Sequence, residues 1–225
     1  MARQDYQQQL ESLREDVLYM SELVLERLQM SFDALERNDR TVAEEVIEGD
    51  HEINQLYLEL EQDCIDILAL QQPVAGDLRF IASTFKIITD LERVGDLATN
   101  LAEYSRAAEE DLYPEVDVQG LGDLTHEMVE DAMDAYANDD PNACREIAQR
   151  DDDIDALCEE ASQTVVRDLL EREFDEKSDE EIEALMNDVS RLLLTIRDLE
   201  RVGDHAVNIS ARTLYMIESN DELIY

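Results

Sequence analysis

The sequence predicts an all-α protein of six helices forming two tandem, repeat-related three-helix bundles. Three observations carry that expectation. The composition is rich in Leu, Ala, Glu and Arg, with no Trp, six Gly and three Pro in 225 residues, which suits long uninterrupted helices. Asp90-Leu-Glu-Arg-Val-Gly-Asp96 recurs without change as Asp198-Leu-Glu-Arg-Val-Gly-Asp204, and Ile88, Ala98 and Asn100 recur as Ile196, Ala206 and Asn208. Upstream of it, Asp50-His-Glu-Ile-Asn54 corresponds to Asp151-Asp-Asp-Ile-Asp155. The repeated unit is therefore several helices long rather than one motif.

Taken in order, the first helix is expected over Arg3–Arg37, where Leu10, Leu13, Val17, Met20, Val24, Leu28 and Leu35 fall mostly three or four apart. Asn38-Asp39-Arg40 ends it, and Thr41-Val-Ala-Glu44 reads as a capping box opening a second helix to about Leu70. Pro73 and Gly76 punctuate the next turn, and a third helix runs from about Asp77 to Ala108. Pro114, Gly120 and Gly122 mark a boundary, which divides the chain into bundles at 1–110 and 118–225. The fourth helix is expected over Asp123–Ala137. Asp140-Pro141 is an N-cap with proline at the first helical position, opening a fifth helix to about Glu171. Ser178-Asp-Glu-Glu181 is a capping box for a sixth helix ending near Glu218. The two repeated strings lie at offsets of 101 and 108, which places a seven-residue insertion in the second hairpin turn, around Glu173–Lys177.

Charge narrows the function classes. With 58 Asp and Glu against 18 Lys and Arg the net charge is −40, and Lys86 and Lys177 are the only lysines. Such a surface suits a cytosol of high salt, where screening relieves self-repulsion. It excludes the basic footprint that nucleic-acid binding requires, and it offers phosphate no cluster of cations. Cys64, Cys144 and Cys158 lie in helical runs without a CxxC spacing and read as buried apolar residues in a reducing compartment. The start of the chain carries no signal-peptide pattern and no run reaches membrane-spanning length, so a soluble cytoplasmic protein is expected.

On a helix, residues four apart share a face. Glu92, Asp96 and Asn100 form one stripe, opposite Leu91, Val94, Ala98 and Leu101, and Glu200, Asp204 and Asn208 repeat it. A hairpin turning near residue 74 puts Asp50 level with Glu92 and Asp96, and the longer second turn brings Asp151 and Asp155 level with Glu200 and Asp204. Two readings stay open at these residues. In one, Arg93 and Arg201 form ordinary helix ion pairs with acids three residues away. In the other, hard oxygen ligands gather around a cation such as Mg, Mn, Ca or oxidised Fe. Gly95 and Gly203, one mid-helix glycine in each copy, point to close approach of a neighbouring helix or ligand.

At these residues the chain resembles the PhoU family of phosphate-uptake regulators. The resemblance rests on Asp90–Asn100 and Asp198–Ile209, on Gln72-Pro-Val-Ala-Gly-Asp-Leu-Arg79, and on the Asp50-x-x-Ile-Asn54 and Asp151-x-x-Ile-Asp155 strings. It implies a non-enzymatic negative regulator of phosphate uptake and phosphate-responsive signalling, acting in the cytoplasm through contacts with the phosphate ABC transporter's ATPase subunit and with a phosphate-sensing histidine kinase. It also implies a homodimer, and metal ions (Fe, Mn, Mg or Zn) held on the bundle surfaces by Glu92, Asp96, Glu200 and Asp204, with Asp50, Asp151 and Asp155 facing them. The chain departs from the family pattern at Asn54, where an acid is expected, and at Phe174-Asp-Glu-Lys-Ser178, which replaces the Pro-Val-Ala turn. The first site is therefore expected to be poorer in carboxylates.

Two other classes compete. A di-iron carboxylate enzyme would direct two Glu-x-x-His motifs into a bundle core, and the chain offers one, Glu48-Gly-Asp-His51. His51, His126 and His205 all read as surface histidines. A helical scaffold whose acids bind nothing is the other.

Overall fold

A computed structural model describes residues 2–70, 74–107, 116–172 and 178–224. Among these residues six helices follow one another: α1 Ala2–Arg37, α2 Arg40–Leu70, α3 Ala75–Ala107, α4 Val118–Asn138, α5 Pro141–Glu171 and α6 Asp179–Glu218. Among the described residues there is no strand. Helices α1–α3 pack on one another as one bundle and α4–α6 as a second, and the bundles meet along α3 with α6 and along α1 with α4. The expected fold class is the one found.

The helix boundaries follow from local chemistry. Asn38 adopts a left-handed φ of 49° and stops α1. Asp39, not Thr41, caps α2: its carboxylate accepts the Thr41 and Val42 amides at 2.9 and 3.3 Å. The expected Thr41–Glu44 capping box is thus displaced by an aspartate two residues earlier. The same turn recurs 101 residues on, where Asp139 is left-handed and Asp140 caps α5 ahead of Pro141. Helix α4 begins five residues before its expected start because Asp117 accepts the Gly120 amide at 2.8 Å. Gly120 and Gly122 are helical rather than linker residues. The Ser178–Glu181 capping box opens α6 as expected.

The seven-residue insertion is distributed differently from the expectation. Four of its residues extend the N-terminus of α6, which begins at 179 where the α3 repeat would give 183, and three lengthen the link from α5. Residues 173–177, 71–73 and 108–115, where further turn and boundary features were expected, lie outside the described residues.

The two bundles share one core. Val17, Met20, Ile53, Leu91, Val94, Met128, Ile154, Leu199 and Val202, drawn from all six helices, belong to one contiguous buried cluster. Burying a side chain of this kind contributes roughly 1.5–3 kcal/mol. Two contacts tie α1 to α4. A Cβ on Gly122 would stand 3.2 Å from the Phe32 ring, so glycine lets the helices approach. The Arg14 guanidinium lies over the Tyr136 and Phe80 rings at 5.3 and 5.4 Å and binds the Asp139 carboxylate at 3.0 Å. Cys64, Cys144 and Cys158 are buried free thiols. Among the described residues no helix is long and apolar enough to cross a membrane.

Candidate functional site

The repeated heptapeptide divides its residues between two tasks. Leu91, Val94, Ala98 and Leu101 are fully buried, while Glu92 is half-buried and Asp96 exposed. The second copy behaves alike, with Leu199, Val202 and Ala206 inside, Glu200 half-buried and Asp204 exposed. The acidic stripe flanks the core and does not enter it.

The glycines explain how α2 and α5 reach the two stripes. A Cβ on Gly95 would stand 3.1 Å from Ile53, and one on Gly203 would stand 3.7 Å from Ile154 and 3.4 Å from the Asp151 carboxylate. Each isoleucine of the Asp-x-x-Ile string thus sits over a glycine of the heptapeptide, and the aspartate one turn earlier is carried toward the acids. Asp50 is held there by the Thr99 hydroxyl at 3.1 Å and the Asn54 amide at 2.7 Å. The register set by Asp50 and Thr99 is the one that equal distances from the hairpin turn predict.

Electrostatics shows which acids share each cluster. In the first, burial and then the charge of Asp96 push the Glu92 carboxyl up, with Asp50 adding and Arg93 opposing. Burial and then Asp50 raise Asp96 against the pull of Arg201 and Arg93. In the second, burial and then Asp155, Asp204, Asp152 and Glu200 push Asp151 up to about 6. Burial and then Asp155 raise Glu200 and Asp204 as well, with His205 and Arg201 opposing at Asp204. So Asp50, Glu92 and Asp96 gather in one half, and Asp151, Asp155, Glu200 and Asp204 in the other. The halves differ in satisfaction. Asp50 has the Asn54 amide on one oxygen and, shared with the Gly95 carbonyl, the Thr99 hydroxyl on the other, whereas Asp151 Oδ1 is buried with no hydrogen-bond partner.

Among the described residues, no group of three His, Cys, Asp or Glu side chains is already arranged to hold an ion. Convergence on one ion would require rotation of the side chains, of which Asp96, Asp155 and Asp204 are exposed. The donor set fits a hard cation. It is all oxygen, it carries like charge in close quarters, and one buried carboxylate oxygen lacks a donor.

Sequence reasoning missed the role of Asp90 and Asp198. Both are buried at the junction of the bundles, the latter fully. His205 Nδ1 of α6 lies 2.9 Å from the Asp90 carboxylate, and the Asn208 amide donates to it at 3.5 Å. In return the Tyr104 hydroxyl of α3 donates to Asp198 at 2.9 Å, and Arg197 and Arg201 bind the same carboxylate at 3.0 and 3.4 Å. Burial and this contact push the Tyr104 phenol up to about 12. Both copies of the first aspartate are therefore inter-bundle ties. The Arg201–Asp198 pair is the helix ion pair foreseen, with a buried partner.

His205 was expected at the surface and is 6% exposed, because it meets Asp90 across the α3–α6 seam. His126 is half-buried rather than exposed. His51 is at the surface, with Nδ1 2.6 Å from the carbonyl of Glu48, itself exposed. That placement removes the inward-facing Glu-x-x-His that a di-iron core would need.

Comparison with known proteins gives the family. The PhoU domain model matches twice, over residues 17–105 and 118–213, once per bundle. The chain belongs to the PhoU family. A Pseudomonas putida protein named as a phosphate-specific transport system accessory protein PhoU homolog is 36% identical over 97% of this chain and 82% of its own length. A so-named homolog 1 from Methanothermobacter thermautotrophicus is 33% identical over 94% of each. The crystal structure of PhoU from Pseudomonas aeruginosa superposes with a TM-score of 0.85 at 31% identity, over 96% of this chain and all of that one. That of the phosphate transport system regulatory protein PhoU from Streptococcus pneumoniae gives 0.84 at 29%, over 96% and 98%.

Proposed function

We propose that this protein is a cytoplasmic, non-enzymatic negative regulator of phosphate uptake, working through contact with the ATPase subunit of a phosphate ABC transporter and with a phosphate-sensing histidine kinase. The observation that carries the reading is the family match in both bundles, together with near full-length relatives named as accessory proteins of the phosphate-specific transport system. The surface chemistry agrees: a chain of net charge −40 with its basic residues dispersed offers phosphate itself no direct site, so regulation runs through a metal or a partner protein. Assembly as a homodimer belongs to the same reading and is checked by sedimentation velocity.

The reading includes metal binding at the two carboxylate clusters. Glu92, Asp96 and Asp50 would hold an ion in the first half, and Glu200, Asp204, Asp151 and Asp155 in the second. Fe, Mn, Mg and Zn are the candidates. A bound cation would neutralise the mutual repulsion that raises these carboxyl groups and would present positive charge on an otherwise acidic face. The chain's own contribution is positional: Ile53 and Ile154 seat against Gly95 and Gly203, which sets the height of Asp50 on α2 and of Asp151 and Asp155 on α5.

Deleting the gene tests the regulatory reading. Phosphate import under phosphate-replete conditions should rise and phosphate-responsive expression should be derepressed, with both reversed by the wild-type gene. Unchanged uptake and unchanged expression would contradict it.

A further inference from the structure

Resting on the reading that this protein works through protein contacts, we infer that the tips of its two helix hairpins are a matched pair of docking surfaces. The occupant of each is a helical segment of a partner protein, with an apolar stripe bordered by Lys or Arg. Among the described residues eleven large apolar side chains are exposed, and seven of them fall within residues 65–78 and 166–186. Ile65, Leu68, Val74 and Leu78 lie where α2 gives way to α3. Val166, Leu170 and Met186 lie where α5 gives way to α6. Ile53 over Gly95 and Ile154 over Gly203 set the register of each hairpin. Extended to the tips, that register brings Leu68 within a turn of Leu78 and Leu170 level with Met186, so both helices of each hairpin contribute. The tips also correspond. Val166 follows Ile65 by 101 residues and Met186 follows Leu78 by 108, the offsets that relate the two halves elsewhere. These four side chains are between 44% and 47% exposed. Single apolar residues scattered over a surface need no explanation, but exposed groups kept at equivalent places in both repeats do.

Charge decides the occupant. Residues 59–79 hold five acids and one base, and residues 166–190 hold ten and three. At the first tip, burial and then Asp16, Asp66 and Glu59 push the Asp63 carboxyl up, so like charges crowd the rim. At the second, Arg172 is taken up by Asp168 at 2.7 Å. A second copy of this chain would set the same acids against these, and an anionic bilayer would add its phosphates to them. A helix with basic residues beside its apolar stripe matches both the apolar tip and its acidic rim. Geometry sets the number bound. Asp90 faces Asn208 and Tyr104 faces Asp198, so α3 and α6 run antiparallel and their N-terminal ends, which carry the tips, lie at opposite ends of the molecule. At about 1.5 Å per residue along each helix, Leu78 and Met186 stand roughly 50 Å apart. Each tip therefore takes its own segment, which suits a partner present in two copies.

The test is an anisotropy titration of the full chain against a dye-labelled synthetic helix with leucine along one face and lysine along the other. About 1 M KCl, with its ~3 Å screening length, suppresses diffuse attraction to so acidic a chain. Wild type should bind two peptides. Ile65→Ser with Leu78→Ser should leave one, Val166→Ser with Met186→Ser should leave one, and the four changes together should leave none. Leu124→Ser, an exposed apolar residue away from both tips, should leave two. Circular dichroism confirms that each variant is folded. At about 0.1 M KCl, a peptide with glutamate in place of lysine should bind roughly tenfold or more weakly. Undiminished binding to the fourfold variant, or equal binding of the glutamate peptide, would overturn the assignment. So would flotation of wild type, but not of the fourfold variant, with vesicles of phosphatidylcholine and phosphatidylglycerol, which would give the tips to a bilayer. Tip-dependent self-association in sedimentation velocity would give them to a second copy and overturn it equally. None of these readouts depends on phosphate regulation, so their failure leaves that reading to the gene-deletion test.

Discussion

Asp151→Asn, made in a metal-free protein, isolates the strain at the second cluster. Asp151 titrates near 3.8 in an unfolded chain and at about 6 when folded. A carboxyl whose folded value is raised binds its proton more tightly in the native state, so the native state is favoured at low pH and penalised as pH rises through 6. The rise from 3.8 to about 6 corresponds nominally to ~3 kcal/mol, and partial solvent exposure reduces this to about 1–1.5 kcal/mol. Asparagine removes the charge, keeps the shape, and supplies an amide that can donate to Asp155 or Asp204. In chelator, the variant should therefore exceed wild type in stability by about 1–1.5 kcal/mol at pH 7, and the difference should shrink toward zero near pH 4. Isothermal denaturant titrations of both proteins, at steps from about pH 4.5 to 7.5 and fixed molar KCl, measure this difference directly. The general effect of titrating the other acids cancels in the comparison. With excess Mn²⁺ the order should invert, because asparagine then removes a ligand. A variant less stable than wild type at pH 7 in chelator, or a difference independent of pH, would refute the electrostatic account of the cluster.

Further outcomes follow from the same geometry. Tyr104→Phe removes the hydroxyl that binds buried Asp198 at 2.9 Å and should cost about 1.5–3 kcal/mol in denaturant unfolding; a neutral result would mean that Arg197 and Arg201 suffice. Gly95→Ala forces a Cβ to 3.1 Å from Ile53 and should destabilise by ~1 kcal/mol. Gly203→Ala meets the Asp151 carboxylate at 3.4 Å and Ile154 at 3.7 Å, both ordinary contacts, and should gain up to ~1 kcal/mol of helix propensity, so the two variants should differ in sign. A net charge of −40 also predicts that the melting temperature rises steeply between about 0.1 and 1 M KCl, as the Debye length falls from ~10 to ~3 Å. A flat salt profile would contradict the high-salt reading of the composition.

Much of this molecule was legible from periodicity. Spacings of three and four gave six helices, the repeated strings gave two bundles, and equal distances from the hairpin turn put Asp50 beside Thr99 and the stripe of Glu92 and Asp96. What escaped was the seam between the bundles. Seven identical residues were read as one acidic element, although Asp90 falls four, seven and eleven residues before Val94, Leu97 and Leu101, on the buried stripe. An acid kept on an apolar face in both copies signals a buried polar partner, and that signal would have separated Asp90 and Asp198 from Glu92 and Glu200. His205 escaped for the same reason, since its partner lies 115 residues away. Periodicity within one helix holds no information on which other helix supplies the facing group. Capping was misread where two candidates competed: Asp39 and Asp117 lie at residues followed by amides they can accept, and a carboxylate at the first free amides outcompetes a threonine or a later glycine as the start.

The central structural claim is that duplicated helix hairpins build two acidic clusters of which the second is poised for a cation. An anomalous difference map from crystals of the full chain soaked in Mn²⁺ tests it most directly. The account predicts the principal peak among Asp151, Asp155, Glu200 and Asp204, where a buried carboxylate oxygen lacks a donor, and a weaker peak among Asp50, Glu92 and Asp96. A principal peak beside Glu92 and Asp96, or peaks confined to other acidic surface, would contradict it.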